Sequence, residues 1–81
     1  MHFDERQCGE HRIFVAATPS SQGGYTAAVS VKKLGEDLTD RTVYTDLMLA
    51  GGFRFADPKA ALQYAFDVGH RHLRLMQPAT H

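Results

Sequence analysis

From His11 to Thr18 the apolar side chains fall on alternate positions, with Ile13, Val15 and Ala17 on one face and Arg12, Phe14 and Ala16 on the other. A period of two with β-branched residues predicts a strand. Tyr25 to Lys33 repeats the pattern: Tyr25, Ala27, Val29 and Val31 share one face, while Thr26, Ala28, Ser30 and Lys32 share the other. Between them, Pro19-Ser20-Ser21-Gln22-Gly23-Gly24 is dense in turn formers, so the two strands are expected to pair as an antiparallel hairpin. A polar connection, Leu34 to Asp40, leads to a third alternating stretch from Arg41 to Leu49. There Val43, Thr45, Leu47 and Leu49 are expected inward, and Tyr44, Asp46 and Met48 outward. Ala50-Gly51-Gly52 breaks this strand. Phe53-Arg54-Phe55 is then either a fourth strand or the bent end of the third.

Asp57-Pro58 is the sharpest local signal. The carboxylate can accept from the unpartnered amides of a helix start, and proline at the first helical position lacks the amide that would have gone unpaired. The helix is expected from Pro58 to about Met76, with Pro78 as the stop. Leu62, Ala65, Phe66, Gly69, Leu73 and Met76 fall in one arc and predict the core-facing stripe. Gly69 in mid-helix costs about 1 kcal/mol relative to alanine, which a close approach of helix to sheet would explain. A second apolar stripe, Ala61, Tyr64, Val68 and Leu75, is more than one small sheet is expected to cover. Tyr64, Val68 and Leu75 are therefore the candidate dimer face.

The fold class expected is α+β: a three- to four-stranded antiparallel meander with one C-terminal helix packed on one face. Residues 1–8 are read as a flexible tail, 9–77 as a single domain, and 78–81 as a disordered end. The expected core is Ile13, Val15, Tyr25, Val29, Val31, Val43, Leu47, Phe53, Phe55, Leu62, Phe66 and Leu73. A chain of 81 residues buries little surface, which favours a partner.

Charge narrows the function classes. Nine basic and nine acidic residues give a formal net charge of zero, unlike a strongly basic nucleic-acid binder. The chain's start has no basic-then-apolar leader, and one cysteine, Cys8, allows no internal disulfide, so a cytoplasmic setting is expected. Cys8 has no CxxC partner and is read as a half-buried packing residue. Five histidines raise a metal question, but His70 and His72 are two apart on a helix and diverge, and no second cysteine joins them. No metal, cofactor or catalytic residue is assigned, because nucleophile elbows and phosphate-binding glycine loops are both missing from the sequence. The chain is therefore expected not to be an enzyme.

The outward sheet positions carry more. Arg12, Phe14, Lys32, Tyr44 and Arg54 place aromatic rings among cations, the ingredients for stacking on bases and neutralising phosphates, or for docking a protein. Ala16, Ala28, Ser30 and Asp46 dilute that patch, and its plain alternative is an ordinary cross-strand surface.

The stretch Gly52-Phe53-Arg54-Phe55-Ala56-Asp57-Pro58-Lys59-Ala60-Ala61-Leu62-Gln63-Tyr64-Ala65 resembles the last-strand-to-helix junction of small bacterial domains of unknown function. It is also faintly similar to AP2-type DNA-binding domains, which read DNA with three strands and carry one helix. The likeness covers the element order and about one-sixth of the length. This chain lacks dense Arg and Trp decoration on its strands, so no functional residue is carried over. Two functions follow as expectations: a small non-enzymatic protein-interaction module, homodimeric, or alternatively a weak nucleic-acid-binding regulatory domain using the open sheet face. No membrane association is expected.

Overall fold

The computed structural model describes residues 1–35 and 40–76. Its elements, in order, are β1 (His2–Cys8), β2 (His11–Pro19), β3 (Tyr25–Leu34), β4 (Asp40–Asp46), a single turn at Leu49–Gly52, and α1 (Pro58–Met76). The strands form one antiparallel meander in the order β1-β2-β3-β4, and the helix packs over β2 and β3. This is the expected α+β class.

The central pairs set the inner face. Ile13 lies opposite Val31, Val15 opposite Val29, and Ala17 opposite Ala27, and all six are buried. Ala61, Ala65, Phe66, Gly69 and Leu73 close over them from the helix. Small residues on both sides of this contact let the two layers approach closely. A Cβ added at Gly69 would sit 2.8 Å from Ile13 Cγ2 and 3.3 Å from Val29 Cγ2. The mid-helix glycine is thus explained by the sheet beneath it.

The N-terminal tail expectation is corrected. Residues 2–8 form β1, which pairs with β2 from His2↔Ala17 to Cys8↔His11 across a turn where Gly9 takes φ +61°. Apolar alternation could not announce this strand, because every side chain from His2 to Gln7 is exposed. It is held by backbone pairing and by its inner-face side chains. The Arg6 guanidinium lies 4.3 Å from the Phe66 ring centroid, and the His2 ring meets Tyr25 edge-on.

The third predicted strand is also corrected. It ends at Asp46, and the register shifts between Val31 and Lys32: Tyr44 pairs with Val31, but Thr42 pairs with Lys32. Val43 is the extra residue of a bulge, and it is half-buried. Tyr44 and Asp46 therefore lie on the helix side and Thr45 on the outer side, the reverse of the expected alternation. Leu47 and Phe53, expected in the core, are exposed, whereas Leu49 is buried. Ala50, Gly51 and Gly52 all take positive φ, which swings the chain away from the sheet. Phe55 then makes one isolated bridge to Tyr25, with bonds of 2.7 and 2.8 Å, so residues 53–55 are neither a fourth strand nor an extension of the third.

The helix start matches its signal. Asp57 Oδ1 accepts from the Lys59 amide at 3.0 Å, and the Asp57 carbonyl accepts from Ala60 and Ala61. Asp57→Ala should lower stability by about 1 kcal/mol, and Asp57→Asn by much less, as read from urea midpoints. Equal losses from both would show that the cap is not formed. The connection at 36–39 and the C-terminal residues 77–81 lie outside the described residues, as does the expected disorder of 78–81.

Candidate interaction surface

No helix or strand covers the outer face of the sheet among the described residues. The pairing arranges this face in rows that run across the strands. At one end Gln7, Arg12, Lys32 and Thr42 form a polar row. Next come Glu5, Phe14, Ser30 and Thr45. Then Phe3, Ala16 and Ala28 lie side by side, with Leu47 beyond Ala28. Thr18 and Thr26 form the last row.

The third row is a trough. Alanine methyls make its floor, while Phe3, 71% exposed, and Leu47, 73% exposed, stand at its two edges. With Phe14 and Ser30 they enclose a shallow hollow of about 140 Å³ whose lining is almost wholly apolar. Phe3 and Leu47 thus leave an apolar strip of the outer face in water. Charge is confined to the neighbouring corner. Arg12 pairs with Glu5 at 3.5 Å and donates to Gln7 Oε1, and Lys32 Nζ lies 5.3 Å from the Phe14 ring centroid.

The five residues proposed as a nucleic-acid or partner face do not converge. Arg12, Phe14 and Lys32 share the corner just described. Tyr44 is on the opposite side of the sheet, stacked on His72 with ring centroids 4.0 Å apart. Arg54 is at the far end of the β2–β3 hairpin, where its guanidinium donates to the Gln22 carbonyl. It borders a wide hollow of about 610 Å³ between two glycine-rich turns, in which it is the only charged side chain among the described residues. The cations therefore scatter.

The proposed dimer face on the helix also changes. Tyr64 packs against Phe55, with ring centroids 5.3 Å apart, and both Tyr64 and Val68 lie against the core. Leu75 alone is open, at 79% exposure. The segment carrying Phe55 and the core beneath the helix cover Tyr64 and Val68 from within the chain. The exposed helical strip is Lys59, Ala60, Gln63, Asp67, Arg71, Arg74 and Leu75.

Elsewhere the chemistry is sparse. Cys8 Sγ faces His70 Nδ1 at 3.8 Å, and among the described residues no further His, Cys, Asp or Glu completes a metal-binding group with them. Among the described residues no group of three or more His, Cys, Asp or Glu side chains is placed to hold a metal ion. No helix there is long and apolar enough to cross a membrane.

Sequence reading found Phe14, Arg12 and Lys32 but missed Phe3 and Leu47. It also read Ala16 and Ala28 as dilution, although they are the floor of the trough. The missing signal was register, because Phe3 joins the row only once β1 is known to pair with β2. No family model matches the chain, and searches of curated proteins and of solved structures find no match either.

Proposed function

We propose that this protein is a non-enzymatic interaction module of the cytoplasm whose docking surface is the bare outer face of its sheet. The observation that supports the reading is the trough of Phe3, Ala16, Ala28 and Leu47, overlooked by Phe14 and left open by the chain's own helix. Such a surface offers area and shape rather than reactive groups. The charged corner of Arg12, Lys32 and Glu5 rims it and orients what docks there.

A photo-crosslinking residue tests this in the cell that encodes the chain. Placed at Ser30, on the outer face, it should give an adduct of defined mass. Placed at Gln63, on the exposed helical strip, it should give none. Adducts at Gln63 without any at Ser30 would overturn the reading. A nucleic acid crosslinked at Ser30 would instead favour the alternative function.

A further inference from the structure

We propose that the occupant of this face is a second copy of the chain, packed sheet to sheet about a two-fold axis. The axis runs across the strands between the Phe14 and Ala16 rows. This inference rests on the outer face being the docking surface and adds the identity of the partner.

Three features point to a copy. The first is shape. Rotation about that axis exchanges the second and third rows, so Phe14 of each copy lies over Ala16 of the other, and Ser30 lies over Ala28. A projecting ring meets an alanine floor twice, the self-complementarity that a two-fold contact requires. Phe14 is half-buried and stands beside the hollow it would fill in its partner.

The second feature is charge. The same rotation exchanges the first and last rows, so Arg12 and Lys32 of one copy lie over Thr18 and Thr26 of the other. No cation faces its own image. Glu5, already paired with Arg12, lies over Phe3 at the rim. Moving the axis by one row toward the charged end would bring Arg12 and Lys32 close to their symmetry mates. The charge distribution therefore excludes an axis nearer the charged end and is compatible with the one the shape picks out.

The third is area. Four strands about 4.8 Å apart, each seven residues long at about 3.4 Å per residue, present roughly 450 Å² in projection. Two such faces, with side-chain relief raising accessible above projected area, approach the roughly 1,200 Å² total at which specific interfaces begin. The face is large enough for a small dimer when most of it is used. A symmetric sheet-on-sheet contact uses most of it, with the sheets about 10 Å apart.

Sedimentation equilibrium and light scattering on the full chain should give twice the chain mass at micromolar concentration. In a mixture of isotope-labelled and unlabelled protein, intermolecular NOEs should connect the Phe14 ring to the Ala16 and Ala28 methyls. Ala28→Arg, which puts an unpaired charge on the floor of the trough, should weaken association at least ~100-fold. Gln63→Arg should leave it unchanged. A monomer at millimolar concentration overturns the inference, as does a dimer whose intermolecular NOEs fall on Tyr64, Val68 or Leu75. The NOE measurement needs no variant, so it decides the matter even if Ala28→Arg fails to fold. If the purified chain is monomeric while the Ser30 crosslinker captures a different protein, the second copy is refuted and the docking surface stands. If Ser30 captures nothing in the cell and the chain is monomeric, both fail.

Discussion

Gly69→Leu should leave the chain unfolded at ambient temperature, with the helical circular-dichroism signal lost and no cooperative melt. The reason is the 2.8 Å that separates a Cβ at this position from Ile13 Cγ2, with Ile13 Cδ1 and Val29 Cγ2 at 3.3 Å. Ile13 and Val29 are fully buried and β-branched, so neither can swing aside easily. A leucine would have to lift the helix off β2 and β3 and expose the centre of the core. Gly69→Ala is the finer test, because two effects of opposite sign meet there. Alanine raises helix propensity by about 1 kcal/mol. Overpacking a filled site costs about 1–3 kcal/mol. The steric effect should win, giving a less stable protein by roughly 1 kcal/mol in urea titration. An alanine variant more stable than the parent would mean that the helix does not lie this close to the sheet.

Phe66→Ala should cost about 3–5 kcal/mol, a large share of the stability expected of so small a domain. Phe66 is 3% exposed and is the largest buried side chain of the helix among the described residues. It also carries the Arg6 guanidinium on its ring, which adds about 0.5–1 kcal/mol and ties the edge strand to the helix. Its loss should therefore be felt first in β1. Amides of residues 2–8 whose bonds run to β2 should exchange with solvent faster than those joining β2 to β3. Phe66→Leu separates the two roles, since it keeps most of the burial but removes the aromatic face. It should cost less overall while still loosening β1. Uniform loss of protection across the sheet in both variants would show that Arg6 and Phe66 do not couple the edge strand to the core.

The parts of this fold that were readable from sequence are those where one residue type has one physical consequence. Asp57-Pro58 placed the helix start, and the alternation of Ile13, Val15, Val29 and Val31 placed the inner face of the central hairpin. Two features escaped for opposite reasons. The first strand has no buried residue to betray it, since its stability lies in backbone bonds and in ring contacts made by Arg6 and His2. The strand containing Tyr44 did alternate, but one inserted residue at Val43 reversed which side it showed to the helix. That reversal removed Tyr44 from the outer face. Arg54 was displaced by the left-handed turn at Ala50–Gly52, whose geometry no periodicity encodes. The candidate surface was half legible: its aromatic centre and its cations could be read, whereas the alanine floor and its two apolar walls needed the register.

The helix lies on one side of the sheet only, and this decides how an assembly grows. A copy that has docked through its open side has no second open side to offer. Addition to the outer border of the sheet is discouraged by Asp4, Glu5 and Arg6 along β1. If a second copy docks as proposed, face-to-face stacking ends after a single step, and the exposed apolar surface that could seed fibres in a two-sided sheet would close into a pair.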